Sequence, residues 1–232
     1  MIDYQIIRSR RRKRTTMITV NPERKIIVKA PLSVSERTIH KLVQKNKAWI
    51  KKRLNQIKKM PRPVKKKFVN GEKFLYFGSL YPLEIKKSDL ISKPKLKFSQ
   101  GRFQATIPQN LTANQRIKKM QKLFLDWYLE NGLEKIEKKA KLIAKKLKVK
   151  FNKIKLKNVS SRWGSCSSKG NLNLNWRLVM TPVPIVNYIL VHEICHLIHP
   201  NHSQNFWQLV ASLDPDYKQH QNWLKNNYYL FW

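Results

Sequence analysis

An apolar helical segment near the end of the chain contains most of its histidines. Residues 181–202 read TPVPIVNYILVHEICHLIHPNH and hold four of the chain's six histidines. Apolar residues recur at helical spacing, which predicts a largely buried helix with Thr181 as its cap and both prolines in the first turn. Buried imidazoles need hydrogen-bond partners or an ion. The segment therefore favours a fold that encloses a metal site over one with a helix of core histidines.

Two of these histidines lie four residues apart within the predicted helix. His192 and His196 therefore project from one face and can bind the same tetrahedral ion. Glu193 is next to the first of them, where it can reach a water on the ion without binding the ion itself. This HExxH arrangement is typical of zinc hydrolases, in which the glutamate is the catalytic general base.

The third ligand is a choice between His199 and His202. On a continued helix His199 would lie about 10 Å along the axis from His192, too far for both to bind one ion at about 2 Å. Pro200 disfavours helical geometry at the preceding residue, and Asn201 can cap a new helix that turns back towards the first two ligands. We therefore expect His202 to complete a site for one zinc ion. His199 is the second choice, either as a ligand or as a group that supports one.

Other candidate site residues have less specific signals. A donor that stabilises the oxyanion of the reaction is expected. The candidates for this role or for supporting a ligand are Tyr217, His220, Arg162 and His199. Asp214 or Asp216 is a candidate for orienting a ligand imidazole. Cys195 is predicted to be buried packing, and Cys166 to be structural, although a thiolate can also bind zinc.

Two strands are predicted before the histidine helix. Residues 171–178 read NLNLNWRL, a strict alternation that is typical of a half-buried strand, and residues 153–159 form its predicted antiparallel partner. The polar face of the first strand carries Asn171, Asn173 and Asn175. This face is either a solvated surface or an edge that binds extended substrate by strand addition.

The first part of the chain is predicted to be a smaller, β-rich region over residues 1–110. Short β-branched segments are followed by one helix over residues 33–58, which begins at a capping box of Ser33 and Glu36. Residues 58–67 combine prolines with a dense cationic run and are predicted to be a linker or long loop.

The second part, residues 111–232, is predicted to be the catalytic domain. Residues 112–149 are helical in pattern, with a break expected near Gly132. Paired strands and the histidine helix follow. Runs of strands and runs of helices, rather than strict alternation of the two, indicate an α+β fold.

The charge of the chain favours polyanionic partners. Lys and Arg number 49 against 13 Asp and Glu, a formal net charge of +36. Such a surface attracts nucleic acid through counterion release. Because the charge is spread over every segment, a solvated lysine-rich surface explains the same composition. The run RSRRRKR over residues 8–14 is either a basic strand edge or a localisation patch.

Composition also bears on location. No apolar run approaches the roughly 18–20 residues that a membrane span needs. The N-terminal segment does not have the pattern of a signal peptide, and two cysteines cannot form a disulfide framework. We expect a cytoplasmic protein with no membrane partner.

The C-terminal sequence resembles a known family. Residues 161–182 (SRWGSCSSKGNLNLNWRLVMTP) and 191–207 (VHEICHLIHPNHSQNFW) together closely resemble the YgjP-like metallopeptidases, which are related to the SprT-like and WLM proteases. The N-terminal segments SRRRKR, ITV, VKAP and KNKAWIKKRL extend this resemblance to nearly the whole chain.

The resemblance implies a zincin-like catalytic domain, with antiparallel strands beside the HExxH helix. It implies zinc bound by His192, His196 and His202, with Glu193 as the base. The implied function is hydrolysis of peptide bonds, and since related SprT-like and WLM proteases act on proteins at DNA, the substrates include proteins associated with nucleic acid. The alternative is a nucleic-acid-binding protein with a structural zinc and no protease activity. A metal hydrolase for a non-peptide bond is a third reading.

Overall fold

The computed structural model describes residues 2–21, 23–58, 66–159, 162–227 and 231. The chain falls into two units, one formed by Met1–Lys65 with Asn227–Trp232 and the other by Lys66–Asn226. The domain boundary predicted between residues 110 and 111 thus falls inside the second unit. Most of the predicted linker, residues 59–65, lies outside the described residues.

The first unit contains a three-stranded sheet and two helices. Its elements are β1 (Gln5–Ser9), β2 (Met17–Val20), β3 (Ile26–Pro31), α1 (Glu36–Lys45) and α2 (Lys47–Lys58). The strand order is β1-β3-β2, with β1 parallel and β2 antiparallel to β3. Its apolar core is formed by Val20, Ile26, Val28, Ala30, Ile39, Val43, Ile50 and Ile57.

The single helix predicted over residues 33–58 is two helices in the structure. Asn46 leaves helical geometry with φ −96° and ψ 12°, and its side-chain amide donates to the carbonyl of Leu42 at 2.8 Å. The helix also begins later than predicted, because the Ser35 hydroxyl, rather than that of Ser33, accepts the N–H of Thr38. Side-chain competition for backbone groups therefore determines both boundaries.

The second unit begins with a four-stranded sheet. Its strands are β4 (Lys73–Tyr76), β5 (Ser79–Ser88), β6 (Lys95–Ser99) and β7 (Arg102–Pro108). The order is β4-β5-β7-β6, in which β4 with β5 and β6 with β7 form antiparallel pairs. Each antiparallel pair is a hairpin of consecutive strands. Gln100 and Gly101 turn the second hairpin with positive φ values of 50° and 69°.

A long helix, α3 (Ala113–Lys146), packs on this sheet and on elements that follow α3 in the chain. The break predicted near Gly132 is wrong, because the helix is continuous through it. A Cβ on Gly132 would lie 2.2 Å from Cγ2 of the buried Val179. The glycine therefore permits the close packing of α3 on Val179.

The third sheet borders the histidine helix. Its strands are β8 (Lys153–Lys157), β9 (Gly164–Cys166) and β10 (Asn171–Asn175), in the order β8-β10-β9. The antiparallel pairing predicted between residues 153–159 and 171–178 is wrong, since β8 and β10 are parallel. Strand β9, which was not predicted, pairs antiparallel with β10 instead. The turn between β9 and β10 is closed by a hydrogen bond from the Gly170 N–H to the Ser167 carbonyl at 2.8 Å. The strand predicted over residues 171–178 ends at Asn175, and Trp176–Met180 form a 3-10 helix.

Three helices complete the second unit: α4 (Val183–Cys195), α5 (Gln204–Leu213) and α6 (Tyr217–Asn227). Helix α4, which carries the HExxH motif, contacts α3, α5 and β9. The predicted α+β class is confirmed. Among the described helices, none combines the length and the apolar composition that crossing a membrane requires.

Candidate metal centre

The C-terminal end of α4 carries two of the predicted ligands. Nine residues of this helix are buried, so its end is held rigidly in the core. His192 lies in the last turn and His196 is the C-terminal cap. The N-terminal end differs from the prediction: Pro182 precedes the helix, and the Thr181 hydroxyl donates to the carbonyl of Leu178 at 2.9 Å.

A reversal of the chain brings the third imidazole to these two. Helix α4 ends before Pro200, and α5 begins after Ser203, whose hydroxyl accepts the N–H of Phe206. The predicted cap, Asn201, does not have this role, because the serine two residues later provides it. His202 therefore lies just before α5 rather than in its first turn. Its position next to α4 is set by the turn between the helices.

The three imidazoles converge on one point. One ring nitrogen each from His192, His196 and His202 lies within 4.8 Å of the other two. The Nε2 atoms of His192 and His202 are 3.1 Å apart. Two ligands of one tetrahedral ion at 2.0–2.1 Å are separated by roughly 3.3 Å. The observed spacing thus fits a tetrahedral zinc site.

His199 lies outside this cluster, but its backbone supports a ligand. Nδ1 of His196 lies 3.1 Å from the carbonyl oxygen of His199. A carbonyl only accepts, so the proton is on Nδ1, and in a neutral ring the lone pair is on Nε2. This is the usual way in which proteins orient a metal-binding imidazole.

Burial keeps the two helical imidazoles uncharged. Burial, with smaller contributions from the neighbouring His196 and His202, lowers the pKa of His192 to about 4. The pKa of His196 is also lowered, mainly by burial and also by His202, although its bond to the His199 carbonyl acts in the opposite direction. Neutral imidazoles have the lone pair that a metal ion needs.

Two aromatic residues of α5 contact the imidazoles of the cluster, and no motif in the sequence indicates these contacts. The buried Phe206 lies under all three imidazoles, with ring centroids 5.1, 4.6 and 4.9 Å from those of His192, His196 and His202. Trp207 stacks on His202 at 5.6 Å and 27°. The apolar periodicity of α5 shows that Phe206 is a core residue, but nothing in it indicates contact with the ligands.

The predicted base lies in a close-fitting environment beside the cluster. Glu193 is only 5% exposed. Burial raises the pKa of Glu193 to about 7, while the positive charge of Arg162 and a hydrogen bond from the backbone N–H of Cys166 act in the opposite direction. A Cβ on Gly164 would lie 2.4 Å from Oε1 of the carboxylate. Strand β9 therefore packs its backbone directly on Glu193, and this requirement for glycine is not visible in the sequence.

An open cleft gives access to these groups. It has a volume of about 590 Å³ and is lined on one side by residues 164–168 of β9 and the following turn. The other side is formed by the three imidazoles, Glu193, Leu197 and Pro200. The free thiol Cys166 lines the cleft, with Sγ 3.5 Å from the Ser167 carbonyl, outside the nitrogen cluster. Cys195 is fully buried, as predicted.

The remaining candidates lie around the site in other roles. His220 is bonded to Asp214, with Nδ1 2.8 Å from Oδ2, so this aspartate orients a histidine outside the cluster. Asp216 accepts a hydrogen bond from the side chain of Gln219 at 2.8 Å. Tyr217 stacks on Trp207 at 5.4 Å.

The asparagine strand does not present a free edge. β10 is hydrogen-bonded to β8 on one side and to β9 on the other, contrary to the predicted role in strand addition. Asn175 is fully buried and donates to the carbonyls of Val159 and Arg162, both at 3.1 Å. Asn171 and Asn173 are partly exposed members of this internal strand. The terminal strand of the sheet at the cleft is β9.

Comparison with known proteins places this geometry in a family context. The model of the YgjP-like metallopeptidase domain matches residues 14–227. No curated protein matches the chain. Among solved structures, the chain is similar to the crystal structure of the metallopeptidase zymogen abylysin of Pyrococcus abyssi, with 22% identity and a TM-score of 0.36. That match covers 38% of this chain and 89% of the other.

The two histidines after α4 provide a matched test of the third ligand. We expect His202→Ala to weaken zinc binding at least 100-fold, because it removes one of three donors, and His199→Ala to change it less than threefold, because only the backbone carbonyl of His199 is used. Competition with a chromogenic chelator measures both affinities. Equal losses in the two variants would contradict this assignment.

The stacking of Trp207 on His202 predicts a second effect on metal affinity. Trp207→Ala should weaken zinc binding by roughly 10- to 100-fold, the range for loss of a group that orients a ligand. Trp207→Phe keeps a ring in place and should recover most of the affinity. The same chelator competition measures this, and circular dichroism controls for folding. An alanine variant with wild-type affinity would show that the stack does not position His202.

The contact between Gly164 and the carboxylate predicts a loss of activity that is separate from metal binding. In Gly164→Ala the new methyl group must displace the Glu193 side chain, so peptide hydrolysis should fall at least tenfold while zinc affinity stays within threefold of wild type. Ser99→Ala on β6, outside the cleft, is the control. A fall in zinc affinity that parallels the fall in rate would mean that the substitution disturbs the whole site.

Proposed function

The chain belongs to the YgjP-like metallopeptidase family, and on this premise we propose that it is a zinc-dependent peptidase of the HExxH type with Glu193 as the general base. The observation that supports the proposal is the convergence of three imidazole nitrogens within 4.8 Å, beside a buried carboxylate and at the base of a cleft. His192, His196 and His202 are the proposed ligands of one zinc ion.

In the proposed reaction, the zinc ion and the side chains of the protein have separate roles. When held by His192, His196 and His202, zinc would supply an activated water, with a pKa of about 7, and would polarise the substrate carbonyl. Glu193 takes the proton from the attacking water and then delivers it to the leaving amine nitrogen. The raised pKa of Glu193, about 7, suits a group that must both accept and donate a proton near neutral pH.

Strand β9 is the proposed binding edge for the peptide. It is the terminal strand of its sheet, with β10 as its hydrogen-bonded neighbour among the described strands. Residues 164–168 also line the cleft that leads to Glu193. An extended peptide added to this edge would pass directly over the imidazoles, with main-chain hydrogen bonds holding the scissile bond. From the sequence, strand addition was one of two interpretations of the neighbouring strand, β10.

Arg162 is the proposed oxyanion stabiliser among the predicted candidates. Its positive charge opposes the rise in the pKa of Glu193, which supports a position near the proposed base. His220 and Tyr217 contact Asp214 and Trp207 instead. Arg162 is an exposed residue, and its guanidinium can approach a developing oxyanion and stabilise it.

A second candidate function is nucleic-acid binding with a structural zinc and no hydrolysis. The net charge of +36 favours it. Under this alternative, the zinc-loaded wild-type protein binds nucleic acid but cleaves no protein, with or without DNA. Proteolysis of DNA-binding proteins that increases when DNA is present would instead support a peptidase acting on nucleic-acid-associated substrates.

The general-base role predicts the outcome of an isosteric substitution. Glu193→Gln should lower peptide hydrolysis by about 100- to 10,000-fold, because the amide cannot accept the proton, while zinc binding is retained. Glu130→Gln, at an exposed position of α3, is the control for loss of a carboxylate and should have wild-type activity. Cleavage of a fluorogenic peptide library and metal analysis by mass spectrometry are the measurements. Hydrolysis by Glu193→Gln at the wild-type rate would refute the mechanism.

A further inference from the structure

The positive charge of the chain is concentrated in its N-terminal part. Residues 1–65 contain 20 Lys and Arg against 3 Asp and Glu, whereas the other 167 residues contain 29 against 10. The net charge per residue is thus more than twice as high in the first unit. The metal centre lies entirely in the second unit. The excess charge of the first unit is therefore not part of the metal centre.

Helix α2 has the largest excess of positive charge among the described elements of this unit. Its sequence, KAWIKKRLNQIK, contains five Lys and Arg residues and no Asp or Glu. Ile50 and Ile57 are buried in the core of the unit, but Trp49 is 46% exposed. An aromatic ring at position 50 or 57 of this helix would be buried, whereas the ring at position 49 is exposed. Its exposure among cations fits a partner that has both negative charge and flat apolar faces.

Cations lie on either side of this ring in the sequence. Lys52 and Arg53 lie three and four residues after Trp49, one turn away on the same side of α2. Lys45 is the last residue of α1, is exposed, and precedes Trp49 across the turn at Asn46. The guanidinium of Arg53 donates to the side-chain oxygen of Gln56 at 3.1 Å.

We propose that this face, Lys45, Trp49, Lys52 and Arg53, is a binding site for single-stranded nucleic acid. A base stacks on Trp49, and the phosphates on either side contact the lysines. Single strands combine exposed base faces with a regular backbone charge, which is the chemistry that an exposed ring between cations recognises. In a duplex the base faces are covered by stacking. An acidic peptide or an anionic membrane matches the charge, but neither requires a flat ring.

The stacking part of the proposal is tested with the full-length protein and a fluorescein-labelled oligothymidylate of 12 nucleotides. In anisotropy titrations Trp49→Ala should weaken binding by at least tenfold at fixed salt, and Trp49→Phe by less than threefold. The double-stranded 12-mer should bind more weakly than the single strand. Leu142→Ala, an exposed apolar residue of the second unit, should bind like wild type.

The charge part is tested by two variants that each remove two lysines. Lys45→Gln with Lys52→Gln should reduce the slope of log affinity against log salt by about 1.4, the value for two phosphate contacts on a single strand. Lys95→Gln with Lys97→Gln, on an exposed face of β6, should leave the slope unchanged. Hydrolysis of a free peptide should be the same in all of these variants, so this test is independent of the proposed peptidase function.

Three results would overturn the proposal. One is wild-type affinity in Trp49→Ala, and another is an equal loss of slope in both lysine variants, which would show only diffuse attraction. The third is tighter binding of the duplex, or of anionic vesicles, than of the single strand. If Trp49→Ala is misfolded by circular dichroism, Trp49→Leu, which keeps apolar volume without a flat ring, decides the question by the same criterion.

Discussion

Burial of the C-terminal end of α4 is the interaction on which the site depends. The same desolvation acts on a base and on an acid that are adjacent in sequence, since it disfavours the charged form of each. It lowers the pKa of His192 to about 4 and raises that of Glu193 to about 7. Near neutral pH the imidazole is therefore an uncharged donor, while the carboxylate can exchange a proton. One physical effect thus prepares both the proposed ligand and the proposed base.

This burial comes from elements that converge on α4 from different parts of the chain. β9 covers Glu193 through Gly164, and α5 supports the imidazoles through Phe206. α3 supports the opposite side and needs Gly132 for its close approach to Val179. In both places a glycine is required because backbone, rather than side chain, must fill the space. The site is thus supported by close packing of main chain, which explains why short elements are sufficient to hold it.

The parts of the structure that could be predicted from the sequence are those encoded locally. The i,i+4 spacing of His192 and His196 on a helix and the effect of Pro200 on the chain direction are local, and both agree with the cluster that forms. The pairing of β8 and β10 depends instead on β9, a strand of three residues whose sequence, GSC, has no β signature. Without β9, residues 171–175 looked like an edge strand. Similarly, Gly132 resembles a helix breaker until the packing of Val179 is known. Contacts between segments distant in sequence decided each of these points.

The division of charge between the two units bears on how the proposed peptidase site could select its substrates. The cleft at the metal centre is open, and one short strand is its proposed binding edge, so the affinity for a free peptide is expected to be low. If the first unit binds a nucleic acid strand, proteins on the same strand meet the cleft at an effective concentration set by the tether and not by the bulk solution. Such an effect needs no fixed arrangement of the two units. Selection would then come from shared attachment to one polyanion, and the cleft itself would need little sequence preference.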